Sequence, residues 1–353
     1  MSLNSDPAPA AVDDRLDDLL ARPEAVTLPA TMRAVTRRRY GGPDVVEVES
    51  FERPDPGVGE VLVKVIAAGL DRATLHLLTG LPYLARLAFG ARRPRQPVLG
   101  QQVAGEVVAL GEGVSAYAVG DRVFGTARGS FAQFAVADVA TLAPTPEAVS
   151  DVDAATVGVS GLTALGAVIT QGRAQDGERV LVLGGSGAVG SFAVQLAAHR
   201  GADVVAACSD PKREFVEALG ARRAVDYRRV PLAEMGGPFD LIVDIGGNRS
   251  VGRLRSALSP RGRLVIVGGE GGGPLLGGVQ RNLGASIANW FTPRELGWFF
   301  SRTTSEACAE LGALIAEGAV RPAIDREVGL EGAAEALAAM ERGDLRGQVV
   351  LRP

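Results

Sequence analysis

The sequence predicts an α/β protein in which a doubly wound parallel sheet is inserted in a second, β-rich domain. Three observations lead to this prediction. An apolar run at Val180–Leu183 meets a glycine cluster, and a helical stripe of apolar residues follows as far as Ala197. After this unit, strand and helix patterns alternate, which indicates parallel strands joined by helical crossovers. Before it, short β patterns are separated by Gly- and Pro-rich turns.

The β-rich part begins at Met32 and consists of short apolar or alternating segments. The strands predicted for it span residues 34–37, 45–48, 60–68, 103–110, 121–124 and 131–136. A helical pattern from Val152 to about Thr170 then leads into the strand at Val180.

Beyond the glycine cluster, the alternation predicts three more strands and two helices of the parallel sheet. The strands span residues 203–207, 241–244 and 264–267, and the helices span residues 211–219 and 251–258. Two further helices, at 305–317 and 330–340, and two last strands, at 323–328 and 347–351, are expected to return to the β-rich domain.

These patterns divide the chain into three parts. The β-rich domain is expected to comprise residues 31–152 and 304–353, and the inserted cofactor-binding domain residues 153–303. Residues 1–30 contain a Pro- and Ala-rich stretch and an acidic one, and are expected to form a flexible N-terminal extension. A docking segment for a partner is the alternative for that part.

The composition is that of an ordinary globular protein and argues against several classes of function. The 353 residues carry 37 basic and 41 acidic side chains, for a net charge of −4, so neither nucleic acid nor a membrane surface is expected as a partner. Two cysteines, Cys208 and Cys308, are too few for a cysteine-rich metal site or a disulfide framework. A secretory signal and a run of about 18 apolar residues are not apparent. We therefore expect a cytoplasmic enzyme that acts on a small molecule.

The glycine cluster predicts a dinucleotide site. Gly185, Gly187 and Gly190 form G-x-G-x-x-G, in which glycines allow a tight turn and a close approach of backbone N–H groups to a pyrophosphate. The pattern alone has little weight, because a chain with this much glycine would contain it about once by chance. Its position between a strand and a helix gives it weight. The residues between and beside the glycines that we assign to this cradle are Ser186, Ala188 and Val189.

The residues after the next strand favour NADPH over NADH. In dinucleotide-binding units, an Asp or Glu about 20 residues after the last glycine binds the ribose 2′-OH and would repel a 2′-phosphate. Here that position is Ser209, with Lys212 and Arg213 just beyond it and Tyr227 further on. Asp210 is an objection, because its carboxylate could serve a 2′-OH.

The order of these parts resembles the medium-chain dehydrogenase/reductase superfamily, in particular its zinc-lacking quinone oxidoreductase-like branch. The resemblance covers about Met32 to Leu351 and rests on motifs that keep the family's order and approximate spacing. They include RAVTRRRYGGPDVVEV, PVLGQQVAGEVVALGEGVSAYAVGDRVFG, GLTAL, VLVLGGSGAVGSFAVQLA, FDLIVDIGG and GRLVIVGG. The resemblance implies a GroES-like catalytic domain around an inserted Rossmann domain.

The chain departs from the zinc enzymes of this superfamily at the metal positions. Where those enzymes have Cys, His and Cys ligands, the matching positions here are Asp71, Gln101 and Val159. A valine side chain is no ligand, and zinc sites are built from nitrogen, sulfur and carboxylate donors. No metal is expected.

The resemblance also places other residues around the interdomain cleft. For the catalytic wall it implies Asp71, Thr74, His76 and Tyr83, with Gln101 and Gln102 behind. For the nicotinamide half of the cofactor it implies Thr163, Ile245, Gly246, Val267, Gly268 and Gly269. The segment from Ala285 to Trp290 resembles an edge strand that pairs in a dimer, so a homodimer is expected.

Without a metal, conjugated acceptors are the natural substrates, because a few hydrogen-bond donors suffice to stabilise the enolate or hydroquinone oxygen. The expected function is NADPH-dependent reduction of a quinone or an α,β-unsaturated carbonyl compound. The first alternative is an enoyl-thioester reductase or a biosynthetic enone reductase. A basic cluster would suit its anionic substrate if it is not simply a solvated face: Arg86, Arg92, Arg93 and Arg95. The second alternative is a nucleotide-binding relative with little turnover.

Overall fold

A computed structural model of the chain describes residues 28–268, 273–289 and 292–353. The fifteen strands among these residues are β1 Thr31–Arg37, β2 Val46–Glu52, β3 Glu60–Gly69, β4 Gln102–Leu110, β5 Arg122–Thr126, β6 Phe134–Asp138, β7 Leu142–Pro144, β8 Arg179–Leu183, β9 Asp203–Cys208, β10 Arg223–Asp226, β11 Phe239–Asp244, β12 Leu258–Ile266, β13 Glu295–Trp298, β14 Ile324–Gly329 and β15 Gln348–Arg352. The extension predicted for residues 1–30 lies outside the described residues except for its last three.

The α-helices in the same ranges are α1 Arg72–Thr79, α2 Arg86–Phe89, α3 Asp151–Ala154, α4 Leu162–Leu165, α5 Ala188–His199, α6 Arg213–Ala218, α7 Val251–Ser256, α8 Gly273–Leu276, α9 Val279–Asn289, α10 Ser305–Ala316 and α11 Ala333–Arg342. Short 3₁₀ turns add Tyr83–Ala85 and Asp210–Lys212, and π-helical turns at Val157–Gly161 and Gly166–Thr170 flank α4.

Six parallel strands form one sheet, in the order β10-β9-β8-β11-β12-β13. Their apolar residues are in register across the sheet, with Leu181 of β8 between Val205 of β9 and Ile242 of β11. Numbered within this unit, the order is 3-2-1-4-5-6, the order of dinucleotide-binding sheets. It reverses between β8 and β11, so a crevice forms outside the carboxyl ends of these two strands. The predicted parallel sheet is confirmed.

The remaining strands form the GroES-like part. Its larger sheet has the order β14-β15-β3-β4-β5-β7, with β6 on β3, and β1 pairs separately with β2. β14 and β15 come from the end of the chain, where the sequence predicts a return to this domain. A buried apolar cluster runs from this part into the parallel sheet and includes Phe124 of β5, Val182 of β8 and Phe192 of α5. The two sheets therefore share one core.

Two predicted elements differ in part from the structure. The stretch expected to be helical from 152 to 170 is so except at residues 155–156, but two of its turns are π-helical rather than α-helical. There Gly158 packs so closely on β5 that a Cβ would lie 2.0 Å from the Gly125 carbonyl oxygen. The edge strand expected at 285–290 is wrong because Ala285 lies buried in α9, while the edge strand is β13, paired with β12. Trp290 lies outside the described residues.

Candidate cofactor and substrate site

The glycine turn follows β8 at the carboxyl edge of the parallel sheet. Gly184 has φ +90°, a conformation that a side chain would strain. The N–H groups of Gly184 and Gly185 both donate to the carbonyl oxygen of Ala207, at 3.0 and 3.1 Å, which fixes the turn on β9. Helix α5 begins directly afterwards at Ala188. Its N-cap residue is Gly187, and none of the described side chains caps the helix there. The first amides of α5 are therefore available to an anion.

The three motif glycines have different surroundings. A Cβ on Gly190 would lie 2.0 Å from the Gly184 carbonyl oxygen, and one on Gly185 would meet the Ala206 methyl at 3.0 Å. The same atom on Gly187 would have only the Gly184 oxygen near it, at 3.7 Å. Gly190 and Gly185 thus serve helix–strand packing, whereas Gly187 borders open space. Ser186 lies between them, and Val189 is part of the first turn of α5.

Hydrogen bonds join the GroES-like part of the chain to this glycine turn and to α5. The N–H of Gly347, just before β15, donates to the carbonyl oxygen of Ser186 at 2.9 Å, and Gly187 forms a parallel bridge with Gly347. On α5, the side chain of Gln195 forms two hydrogen bonds with the backbone of Arg321.

Ser209 and Tyr227 lie at neighbouring strand ends. Asp226 of β10 is opposite Cys208 of β9, and the N–H of Tyr227 donates to the Cys208 carbonyl oxygen at 3.2 Å. Ser209 and Tyr227, both assigned from the sequence to the 2′-phosphate, thus follow neighbouring strands. The 43% exposed side chain of Tyr227 lies on the surface.

Lys212, which the sequence assigns to the 2′-phosphate, has two backbone partners within the protein. Its Nζ donates to the carbonyl oxygens of Gly343 and Leu345, at 2.7 and 2.6 Å, and the residue is buried. Burial lowers the pKa of this ammonium group. The Lys212 ammonium group therefore holds the loop between α11 and β15. No sequence pattern could indicate these carbonyl partners, because they lie more than 130 residues further along the chain.

Other cations surround Ser209 at the surface. Arg213, half exposed, forms a 3.7 Å ion pair with Asp210. Arg346 comes from the α11–β15 loop, and its Nη2 donates to the Pro211 carbonyl oxygen at 3.2 Å. The sequence analysis missed Arg346, because it lies at the far end of the chain.

The ends of β11 and β12 form the other half of the crevice. Ile245 and Gly246 both donate through their N–H groups to the Leu183 carbonyl oxygen at 3.1 Å, beside the glycine turn. Val267 and Gly268 donate in the same way to Asp244 at 3.0 and 3.2 Å. The four predicted residues thus lie together at one sheet edge. Gly269 lies outside the described residues.

Arg281 is a second residue that the sequence analysis missed. From α9, its guanidinium donates to the carbonyl oxygens of Gly247 at 2.7 Å and Gly268 at 3.2 Å, and it pairs with the carboxylate of Asp244. The Asp244 side chain is 1% exposed. One buried cation therefore fixes both loops that follow β11 and β12. The expected edge strand spans residues 285–290, so Arg281 lies outside it, and the sequence analysis predicts no role for this arginine.

Asp71 is fully buried at the start of α1. Its Oδ1 accepts hydrogen bonds from the N–H and hydroxyl of Thr74, at 2.7 and 3.1 Å. Within the described part of the chain, no hydrogen bond reaches Oδ2. Burial raises the pKa of the Asp71 carboxyl to about 6, although the Thr74 hydrogen bonds oppose the rise. Asp71 is thus hydrogen-bonded to Thr74, another residue of the predicted catalytic wall.

His76 and Tyr83 lie further along the same wall. His76 is exposed, and its Nδ1 is 3.1 Å from the Leu81 carbonyl oxygen. A carbonyl only accepts, so Nδ1 carries the proton in this contact. Tyr83 is 46% exposed, and its 3₁₀ turn packs against α8, which follows β12. This contact brings the wall to the crevice edge of the parallel sheet.

Two residues expected near the cofactor have structural partners. The Thr163 hydroxyl donates to the Val159 carbonyl oxygen at 2.6 Å, within its own helical segment. Gln102 is buried, and its Oε1 accepts from the N–H groups of Val159 and Ser160 at 3.0 Å each. Its Nε2 donates to Gln348 of β15 at 3.2 Å. Gln102 therefore connects three segments rather than facing a substrate.

Comparisons with known proteins identify the family. An alcohol dehydrogenase GroES-like domain model matches residues 57–147, and a zinc-binding dehydrogenase model matches residues 219–351. The quinone oxidoreductase of Mus musculus is 31% identical over 322 residues, which are 86% of this chain and 92% of that protein. The chain belongs to the medium-chain dehydrogenase/reductase superfamily, in its quinone oxidoreductase-like branch.

Two further relatives of this quinone oxidoreductase-like chain are informative. A trans-enoyl reductase of Aspergillus terreus is 30% identical over 317 residues, 84% of this chain and 87% of that protein. A mycobacterial protein solved in complex with NADPH has a TM-score of 0.77 and 27% identity, and the match covers 91% of this chain and 100% of that one. The chain is thus an oxidoreductase of this superfamily, and its parallel sheet has the fold of a dinucleotide-binding domain.

Neither a metal-binding cluster nor a membrane-spanning helix is present in the described part of this quinone oxidoreductase-like chain. Among the residues that the structure describes, no group of three or more His, Cys, Asp or Glu side chains could hold a metal ion. In the same ranges, the helices are too short or too polar to cross a bilayer.

Proposed function

We propose that the protein reduces a quinone or an α,β-unsaturated carbonyl compound with NADPH, without a metal. The observation that carries this proposal is the glycine turn at the β8–β11 switch point, which leads directly into the uncapped start of α5. The GroES-like part adds the buried carboxyl of Asp71, whose pKa is raised. The cradle fits a dinucleotide, because a Cβ on Gly187 would project into open space.

Three features support NADPH over NADH. Ser209 stands where a carboxylate would bind a ribose hydroxyl. Asp210, the nearest acid, pairs with Arg213. Arg346 reaches the same turn from the other domain. Guanidinium groups bind phosphate through two parallel hydrogen bonds, so Arg213 and Arg346, with Tyr227, are the residues we assign to the 2′-phosphate.

The cofactor would supply the hydride, and side chains of the protein would supply the proton. A bound nicotinamide would supply a hydride to the electrophilic carbon of the acceptor, and negative charge would develop on the conjugated oxygen. Asp71 holds a proton on a fraction of molecules near neutral pH, and its unpaired Oδ2 is the atom that would release it. Tyr83 offers a further donor through its hydroxyl, whereas the Nδ1–H of His76 is held by the Leu81 carbonyl oxygen.

The metal-free part of the proposal rests on the donor set. At the expected ligand positions, Asp71 already accepts two hydrogen bonds through Oδ1, and Gln101 is a weak ligand. Val159 has no donor atom in its side chain. These residues do not fit a catalytic zinc ion, which needs three protein ligands and an open position.

An enoyl-thioester substrate is the second candidate. Arg92 and Arg93 are exposed beyond α2, and no ion pair involves either of them within the described ranges. Arg86 and Arg95 instead form hydrogen bonds with backbone carbonyl oxygens. Arg86 donates to the carbonyl oxygens of Thr79 and Gly80, and Arg95 to that of Ala88. An anionic substrate would thus contact Arg92 and Arg93.

We also propose a homodimer paired through β13. This strand is the edge of the parallel sheet, and Trp298 and Phe300 beside it are 42% and 80% exposed. Large exposed apolar side chains on an open strand edge are typical of an interface.

The decisive experiment mixes the protein and NADPH with a panel of quinones, enones and enoyl thioesters, and follows the loss of nicotinamide absorbance. Turnover of quinones or enones, unchanged after extensive chelator treatment, is the expected result. Preference for a coenzyme A thioester that is lost in Arg92→Ala with Arg93→Ala favours the second candidate. Tight NADPH binding without turnover across the panel overturns the proposal and leaves a binding role.

A further inference from the structure

Arg37, the last residue of β1, is a buried cation without a counterion. The residue is 3% exposed. Throughout the described ranges, no ion pair or side-chain hydrogen bond involves its guanidinium, and its Nε is buried without a partner. Burial lowers the pKa of Arg37 to about 10. Buried charges in proteins are usually paired, because they lose their hydration on folding.

The neighbouring arginines are neutralised, in contrast to Arg37. Arg38 forms a 2.8 Å ion pair with Glu49, and Arg39 lies 3.6 Å from the carboxylate of Asp44. Both are largely exposed. In this basic run, therefore, the buried member is the one without an acidic partner.

An aromatic ring contacts Arg37 but does not neutralise it. The Arg37 guanidinium lies 5.7 Å from the centre of the Tyr40 ring, and that of Arg86 lies 4.3 Å from the same ring. Arg86 also lies 4.6 Å from the Tyr83 ring and donates to two carbonyl oxygens, which are uncharged. Two positive charges thus share one ring, with only cation–π and dipole compensation.

Arg37 lines a cavity of about 280 Å³. The lining residues are Thr36, Arg37, Arg38, Arg39, Asp44, Val45 and Glu47. The volume is near the lower end of the range for small-molecule sites, enough for an oxyanion and the part of a molecule next to it. Two acids also line the cavity: Asp44 is paired with Arg39, and Glu47 is exposed to solvent. Since Arg38 and Arg39 are paired with carboxylates, Arg37 is the cation left to attract such an anion.

We propose that Arg37 binds the phosphate or carboxylate group of a small molecule in this cavity. A guanidinium presents two parallel donors to such a group, and its weak hydration suits a buried position. The site uses none of the residues assigned above to the dinucleotide or to proton transfer. Its ligand is either a free anionic metabolite or the anionic end of the substrate, because the stacked row Arg37, Tyr40, Arg86 and Tyr83 leads from the cavity to the predicted substrate wall.

The test compares thermal unfolding of the full chain, Arg37→Met and Arg38→Met, with and without 20 mM inorganic phosphate at constant ionic strength. Without phosphate, Arg37→Met is expected to unfold at the same temperature as the unmodified protein or higher, because an unpaired buried charge is removed. Phosphate is expected to raise the unfolding temperature of the unmodified protein and of Arg38→Met by the same amount, and that of Arg37→Met by less than half as much. Any phosphate bound in the dinucleotide crevice contributes equally to all three.

Equal responses of Arg37→Met and Arg38→Met would overturn the proposal. Should Arg37→Met not fold, Arg37→Lys keeps the charge but not the two-pronged donor, and is expected to lose most of the phosphate response. A full response in Arg37→Lys would count against the bidentate site.

A second arm identifies the source of the anion. An enone with a phosphate or carboxylate tail and its uncharged analogue are compared as substrates. A KM increase of about tenfold in Arg37→Met for the charged enone alone assigns the site to the substrate. Unchanged KM values together with a lost phosphate response assign it to a free anion. Because the unfolding arm needs no turnover, failure of the proposed reductase activity would leave it intact.

Discussion

The ammonium group of Lys212 lies 2.7 Å from the carbonyl oxygen of Gly343. These residues belong to different domains, and a second bond to Leu345 at 2.6 Å strengthens the link. A lysine placed where a phosphate-binding residue is expected therefore serves as an interdomain contact.

Replacement of Lys212 by Met should affect stability and not cofactor choice. We expect a loss of about 1.5–3 kcal/mol in unfolding free energy, because charge-assisted hydrogen bonds are lost and two carbonyl groups are left without a partner. The ratio of NADPH to NADH dissociation constants should change less than twofold. In contrast, Arg213→Ala with Arg346→Ala should weaken NADPH at least tenfold more than NADH. Fluorescence titration with both cofactors measures these ratios, and a selective loss of NADPH in Lys212→Met alone would contradict the assignment.

Asp71 should make the stability of the protein depend on pH. The carboxyl pKa rises from its ordinary value of 3.8 to about 6 on folding, and about 1.4 kcal/mol per pKa unit gives about 3 kcal/mol. Below pH 3.8 the group is neutral in both states and costs nothing. Between pH 4 and 6 ionisation increasingly favours the unfolded chain, and above pH 6 the full cost remains.

The variant Asp71→Asn keeps an oxygen for Thr74 but does not ionise. Its unfolding free energy, minus that of the unmodified protein, should rise by up to about 3 kcal/mol between pH 4 and 7. Urea denaturation at several pH values provides the measurement. A difference that stays constant with pH would show that Asp71 is not destabilised by burial.

Two glycines of the turn provide a matched pair of substitutions. Gly190→Ala would place a methyl group 2.0 Å from the Gly184 oxygen, so α5 would have to move away from β8. We expect a loss of about 1–3 kcal/mol in stability, typical of overpacking. Gly187→Ala, at φ −86° and with open space, should cost less than about 1 kcal/mol.

NADPH binding should also differ between these two variants, but Gly187→Ala is the one expected to weaken it. Because Gly187 borders the space where a pyrophosphate would lie, Gly187→Ala should weaken NADPH binding at least tenfold while folding is nearly unchanged. Calorimetric titration and thermal unfolding of both variants test this. Unchanged NADPH affinity in Gly187→Ala would place the cofactor elsewhere.

Arg281 should control the nicotinamide half of the crevice. Arg281→Met leaves Asp244 buried without its cation and frees the loops at Gly247 and Gly268, so we expect a loss of about 3–5 kcal/mol in stability. The double variant Arg281→Met with Asp244→Asn should recover much of that loss. In this double variant, NADPH affinity should fall about tenfold, whereas the affinity for 2′,5′-ADP, which lacks the nicotinamide half, should not change. Equal losses for both ligands would contradict a local role.

The sequence predicted the parallel sheet well because its signals are local. The apolar run Val180–Leu183, followed by a glycine cluster and a helical stripe, identifies a strand that is buried on both faces. The sites at the strand ends followed directly, since parallel strands bring their carboxyl ends to one edge. Within that edge, Ile245, Gly246, Val267 and Gly268 lie where they were expected.

The remaining features depend on contacts between distant segments. Lys212 reaches carbonyl groups 131 and 133 residues further along the chain. Arg281 lies on α9, a helix that the sequence patterns did not predict. Arg37 belongs to a basic run, a pattern typical of a solvated face, and only the fold shows that it is buried. In each case the side chain's partner, and not its type, determines its role.

The hydrogen bond from Gly347 to Ser186 has a mechanical consequence. Together with the Lys212 and Gln195 contacts, it fastens the two domains along one side of the crevice, next to the adenosine end of the proposed cofactor site. On the opposite side, only α8 touches the Tyr83 turn among the contacts described above. Opening of the crevice is therefore expected on the α8 side, away from the Gly347–Ser186 hydrogen bond. A substrate would enter and leave there while the adenosine end of the cofactor stays held.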